Sequence, residues 1–187
     1  MLGLILAVGL FAAVHLTTAV PQFKSQFKAR YGAKSFGPAF GIASLLSLIL
    51  IIFAWRNAEF VVAYEPPAWG RIANHILTLI GFLFLGIFLC RGSFRRVVKY
   101  PMGLAVLFWA AGHLLANGDQ ASVILFGGMA IYSILHVVLL ARNGGPPAAD
   151  VRQGHNLLSL LSGLALYGLM AQLHGVLIGV AVFQLTK

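Results

Sequence analysis

Several runs of apolar residues in this chain reach about the 20 residues that an α-helix needs to cross the hydrocarbon core of a bilayer. The residues are 60% hydrophobic and only 9% charged, against roughly a quarter charged in an ordinary soluble domain. The reading is an all-α fold: a polytopic transmembrane helical bundle forming a single membrane domain over 1–187. Spans are placed at 2–20, 36–55, 72–90, 102–117, 121–141 and 155–173, about six in all. Breakers agree with these limits: Pro21, Gly37-Pro38, Glu65-Pro66-Pro67, Pro101 and Gly144-Gly145-Pro146-Pro147. Residues 175–184 are apolar but too short to span. One helix over 155–184 would be about 45 Å long against a core of about 30 Å, so a break is predicted at His174-Gly175, with the tail re-entrant or along the interface.

Thirteen Lys and Arg residues give a formal net charge of +9. Lys24, Lys28, Arg30 and Lys34 follow the first span, Arg91, Arg95, Arg96 and Lys99 the third, and Arg142 and Arg152 the fifth. The alternate loops hold Arg56, Arg71, Glu59, Glu65 and Asp119 and are near neutral. Basic residues in every second loop satisfy the positive-inside rule. They imply an even number of spans with both termini outside, in a bacterial inner (cytoplasmic) membrane. No nucleic-acid partner is expected. The basic loops suit anionic lipid headgroups, at about 1 kcal/mol per residue near the surface. The amino-terminal run lacks a basic leader and precedes a basic loop, so it reads as a retained span, not a signal peptide. The single cysteine, Cys90, precludes an internal disulfide or a cysteine-built metal cluster.

Residues 99–128, KYPMGLAVLFWAAGHLLANGDQASVILFGG, place His113 inside an apolar helix that stops at Asn117-Gly118-Asp119. An ionisable group at membrane depth is costly and marks a functional site by default. No carboxylate lies within a span, so neither paired-acid catalysis nor a carboxylate proton relay is expected. Neither a P-loop, nor a dinucleotide fingerprint, nor a hydrolase triad occurs. What remains is six histidines, His15, His75, His113, His136, His155 and His174, most of them in or at the ends of apolar helices. Neutral imidazole ligates haem iron and tolerates burial.

His15 shares a helical face with Phe11, Ala12, Thr18 and Ala19, and His113 with Trp109, Gly112, Ala116 and Asn117. Trp109 could stack on a macrocycle, Asn117 could orient the imidazole or cap the helix, and His174 could line the site from the outer side. Each of His15 and His113 reads either as a ligand or as a histidine hydrogen-bonded across the bundle. By depth, His136 matches His15 and His75 matches His113, while His155 is expected to be solvated. Gly81, Gly86, Gly103, Ala110-Ala111-Gly112, Gly127-Gly128, Gly163 and Gly168 mark close helix contacts or, alternatively, a haem face.

Four patches carry a resemblance to a known family: His15 with VPQFKSQFKARYG behind it, WAAGHLLANGD at 109–119, LFGG at 125–128 and LHGVLIGV at 173–180. On these the chain resembles the NnrU family over almost its full length. NnrU proteins are bacterial membrane proteins linked to denitrification and nitric oxide metabolism. That family is similar in turn to zeta-carotene isomerase (15-cis), a membrane haem b enzyme with histidine ligands. The resemblance implies haem b as cofactor, with His15 and His113 at the positions of the axial iron ligands. Two departures stand out. The family usually has His-Pro where this chain has Tyr100-Pro101, and the isomerase has a cysteine where this chain has Ala110. A switch from histidine to cysteine ligation is thus unavailable, which counts against carotene isomerisation.

The leading reading is an integral inner-membrane protein of NnrU type that binds haem b through His15 and His113 and acts in nitric oxide or nitrite metabolism. Trp109, Asn117 and His174 are the further cofactor-binding candidates. Membrane lipid and a small apolar or NO-type ligand are the expected partners. One alternative is a haem-dependent cis–trans isomerase of a carotenoid or other isoprenoid, and another a cofactor-free membrane interaction protein. A methyltransferase reading of the KYP-Met-Gly motif lacks residues to hold a methyl donor. Whether the chain is an enzyme stays open.

Overall fold

The computed structural model describes residues 1–146 and 150–182. Its elements are α1 (Leu2–Leu16) with a 3-10 turn (Thr17–Ala19), α2 (Pro21–Tyr31), α3 (Phe36–Arg56), α4 (Gly70–Cys90), α5 (Phe94–Val97), α6 (Pro101–Ala116), α7 (Gln120–Ser122), a π-helical segment (Val123–Gly127), α8 (Gly128–Arg142) and α9 (His155–Ile178). Among the described residues the only β-type pairing is an isolated bridge between Val62 and Asp119. Among the described residues, five helical stretches, Leu2–Ala19, Phe36–Arg56, Gly70–Cys90, Gln120–Arg142 and His155–Ile178, are long and apolar enough to cross a membrane. Pro101–Ala116 is apolar but shorter. Ile42, Leu45, Ile49 and Phe53 form a stripe along α3 that is between 51% and 68% exposed. A continuous apolar face of that kind suits lipid, not water.

Three local features depart from the sequence reading. The basic segment after the first span is a helix, α2, begun by Pro21 at its first turn, where a missing N–H is harmless. Next, α9 does not break at His174-Gly175. It runs on to Ile178 and ends at Gly179, whose φ of 91° only glycine adopts cheaply. At 24 residues it is about 36 Å long, a length that tilt can accommodate. Beyond it, Val180 and Ala181 return toward the last turn: Val180 O accepts from His174 Nδ1 at 2.6 Å, and Ala181 Cα lies 3.8 Å from where a Cβ on Gly175 would be. Positions 183 and 184 of the expected tail lie outside the described residues. Lastly, the LFGG patch enters a π-helical turn, an uncommon form that recurs at functional sites.

The chain divides into two compact units. The first comprises Met1–Glu65 and Asn117–Pro146. In it α1 packs on α3 and on α8, burying Leu4, Ala7 and Val8 with Ile51, Leu125, Phe126 and Met129. A Cβ on Gly128 would lie 2.7 Å from Val8 Cγ1, so the glycine lets α8 approach α1. Asp119 starts α7, its carboxylate accepting from Ser122 N at 2.9 Å and Ser122 Oγ at 2.6 Å.

The second unit comprises Pro66–Ala116 and Pro147–Lys187, and α4 packs against both α6 and α9. Small residues make the contacts. Gly81 faces Ala105 O, Gly112 faces Asn74, Gly86 faces Ser159 O and Gly163 faces Phe82 O. Lipid offers helices no hydrophobic gain on association, so such backbone approaches supply the dispersion that holds them. Gly127 and Gly168 meet nothing within 4 Å among the described residues. The contact reading of the sequence therefore does not extend to them.

Candidate functional site

Each unit holds its own set of histidines. In the first, α1 carries His15, whose Nδ1–H donates to Phe11 O at 2.9 Å, one helical turn back. The carbonyl can only accept, so the neutral ring carries its lone pair on Nε2, which has no hydrogen-bond partner among the described residues. Phe11 stacks on the imidazole at 3.9 Å between centroids, and Phe40 and Tyr132 meet it nearly edge-on at 5.2 and 5.8 Å. Three aromatic rings thus fix the orientation of a half-buried imidazole.

His136 on α8 belongs to the same unit and is held in the opposite tautomer. Thr18 Oγ1 gives its one hydrogen to His15 O at 2.7 Å and lies 2.9 Å from His136 Nε2. With that hydrogen committed, His136 Nε2–H must be the donor to Thr18. His136 therefore has Nε2 occupied where His15 has it available.

In the second unit, His113 on α6 repeats the His15 arrangement. Its Nδ1–H donates to Trp109 O at 2.8 Å, again one turn back, which puts the neutral lone pair on Nε2. The Trp109 ring is tilted by 54° at 5.2 Å and does not stack on the imidazole. His75 on α4 and His174 on α9 belong to the same unit as His113. His75 Nδ1 is 3.4 Å from Tyr167 OH.

The pairs that match in depth, His15 with His136 and His113 with His75, are thus also the pairs that each unit holds. Asn117, expected beside His113, accepts on its backbone carbonyl from Tyr64 OH at 2.9 Å. His155 is not simply solvated: it is half-buried, and its Nδ1–H donates to Cys90 O at 3.2 Å, tying the start of α9 to the end of α4. Phe40, Tyr132 and Tyr167 were not singled out by the sequence reading. Tyr132 stands four residues before His136 in an apolar helix, a spacing that could have marked it.

Among the described residues no group of three or more His, Cys, Asp or Glu is arranged to hold a metal ion. A closed ion site of the zinc type, with four protein ligands, needs more than that. Haem makes a smaller demand, since the porphyrin supplies four nitrogens and the protein one or two axial ligands. An imidazole pinned at Nδ1 with Nε2 as donor atom fits that demand.

The fold is all-helical, with several helices long and apolar enough to cross a membrane, and these helices carry histidines but no Asp or Glu. The profile of the family described as NnrU protein matches residues 3–182, and the chain belongs to the NnrU family. No curated protein and no solved structure matches it.

Proposed function

We propose that this NnrU protein is a bacterial inner-membrane haem protein acting in nitric oxide or nitrite metabolism, with His15 and His113 as the ligands of haem b. One observation carries the reading. Both imidazoles commit Nδ1–H to the carbonyl four residues back, which places the lone pair of the neutral ring on Nε2 in each. Metal-ligating histidines almost always have the other ring nitrogen held in this way, which fixes the tautomer and raises basicity. Bound haem would supply electron transfer and the binding of small diatomic ligands at iron. The chain's own part is to hold the rings. Phe11, Phe40 and Tyr132 restrain His15, and the Trp109 carbonyl sets His113. His136, with Nε2 donating to Thr18, serves as the internal control.

The membrane arrangement belongs to the same proposal: six embedded helices, including Pro101–Ala116, with both termini on the outer face. At about 24 Å that helix is some 6 Å short of an average core, a mismatch that local thinning absorbs. The clustering of basic residues after the first, third and fifth spans supports the arrangement.

Purification in mild detergent after expression with ample haem, followed by an absorption spectrum, tests the reading. A stoichiometric Soret band is expected that is lost or shifted in His15→Ala and in His113→Ala but kept in His136→Ala. Circular dichroism confirms that each variant is folded. Absence of haem from the folded parent protein refutes the proposal and leaves a cofactor-free interaction protein.

A further inference from the structure

The end of α4 and the start of α9 gather Arg91, Arg95, Arg96 and Arg152, none of which forms an ion pair among the described residues. Arg91 follows the last residue of α4 in the left-handed conformation, at φ 57°. Its carbonyl accepts from Arg152 N at 2.9 Å, so the two backbones are joined directly. Gly92 lies against His155 and Asn156, and Asn156 Oδ1 accepts from Phe94 N at 3.2 Å. These contacts fix α5, with Arg95 and Arg96, beside the first turn of α9. The Arg95 guanidinium lies over the Phe88 ring at 5.5 Å, and its Nε is buried with no hydrogen-bond partner among the described residues. Burial first, and then the nearby Arg91 charge, push the Arg95 pKa below its ordinary value.

The helix ends do not offset this charge. The carbonyl end of α4 contributes about −0.5 of an elementary charge and the amide end of α9 about +0.5, so they cancel. The guanidiniums of Arg91, Arg95, Arg96 and Arg152 remain. Immediately on the membrane side, Phe88, Leu89, Leu158 and Leu161 expose apolar side chains. A ligand that satisfies both features has a phosphate at one end and hydrocarbon at the other.

We propose that this arginine cluster is a binding site for the phosphodiester headgroup of an anionic phospholipid, whose acyl chains lie along the exposed apolar residues of α4 and α9. A planar guanidinium pairs with phosphate oxygens through two parallel N–H bonds, which a lysine ammonium cannot do. The site is independent of the haem reading and stands or falls separately from it.

The test uses the full-length protein, delipidated in neutral detergent and titrated with phosphatidylglycerol or phosphatidylcholine, with bound lipid counted by native mass spectrometry. Phosphatidylglycerol is expected to bind more tightly. Its affinity should fall roughly fivefold for each guanidinium removed in Arg91→Ala and Arg95→Ala. The same loss is not expected in the control pair Lys28→Ala and Arg30→Ala, which removes as much charge elsewhere. Arg95→Lys keeps the charge but not the fork, and a loss of roughly threefold or more is expected there. It carries the test should the alanine variants unfold. Equal binding of the two lipids, or an equal loss in the control pair, overturns the proposal in favour of diffuse attraction. Displacement of phosphatidylglycerol by millimolar inorganic phosphate overturns it in favour of a free-anion site.

Discussion

Replacing Gly163 by alanine puts one methyl group where α9 meets the backbone of α4. That methyl would lie 2.7 Å from Phe82 O, 2.9 Å from Leu83 Cα and 3.1 Å from Phe82 C. All three are backbone atoms of a helix, so none can swing aside as a flexible side chain would. Moving the nearest contact from 2.7 Å to the 3.4 Å where ordinary contact begins requires the helices to part by about 0.7 Å. A gap of that size forfeits roughly a quarter to a half of the dispersion energy of each facing atom pair. In lipid no hydrophobic term compensates. Overpacking of this kind costs about 1–3 kcal/mol.

Alanine also raises helix propensity by up to about 1 kcal/mol, which would mask part of the loss. Gly168→Ala on the same helix removes that ambiguity, because its methyl meets nothing within 4 Å among the described residues. The difference between the two variants isolates the contact and is expected to be about 2 kcal/mol, close to thirtyfold in the folded-to-unfolded ratio. Reversible unfolding in mixed micelles with increasing dodecyl sulfate, followed by circular dichroism, measures it. Coincident transitions for the two variants would refute the close approach of α4 and α9.

Two further perturbations test other contacts. Thr18→Val removes the acceptor for His136 Nε2–H. A double-mutant cycle with His136→Phe should give about 0.6 kcal/mol, the average for hydrogen bonds between membrane helices, and a coupling indistinguishable from zero would refute the bond. Tyr64 lies outside the spans, and burial, followed by the Asp119 charge, holds its phenol above the ordinary 10.0. A raised folded-state value means that the folded chain keeps this proton longer than the unfolded one. Its contribution to stability is therefore full below pH 10.0 and falls as pH rises through the raised value. Tyr64→Phe should remove that part of the alkaline loss, as judged by tyrosinate absorbance and unfolding against pH, and an equally steep loss in the variant would contradict it.

Most of the helical stretches were legible because hydropathy and breakers act locally. Phe36, Cys90 and His155 are helix limits in both the sequence reading and the structure. Leucine-rich runs without acids have no alternative in a bilayer, where every backbone amide must be paired within its own helix. The failures came where local signals conflict. Basic residues made 21–31 read as a loop, yet Phe23, Phe27 and Tyr31 recur every four residues, and the rings of Phe27 and Tyr31 lie 4.8 Å apart. At His174-Gly175 the excess length of 155–184 over the core suggested a break, but a lone glycine inside a helix costs only about 1 kcal/mol, and the helix ends instead at Gly179.

The sequence by itself determined an all-helical chain with helices apolar enough to cross a membrane, and the family to which it belongs. It determined these because they follow from composition, periodicity and short strings of residues. Only the tertiary structure decided which groups from other elements meet the rings of His15 and His136. The His15 ring is oriented by Phe40 and Tyr132 from other helices, and the His136 tautomer is set by a threonine 118 residues away in the chain. His15 and His113 take their tautomer from the carbonyl four residues back on their own helices, whereas the partner of His136 is brought within about 3 Å only by packing between elements distant in the chain.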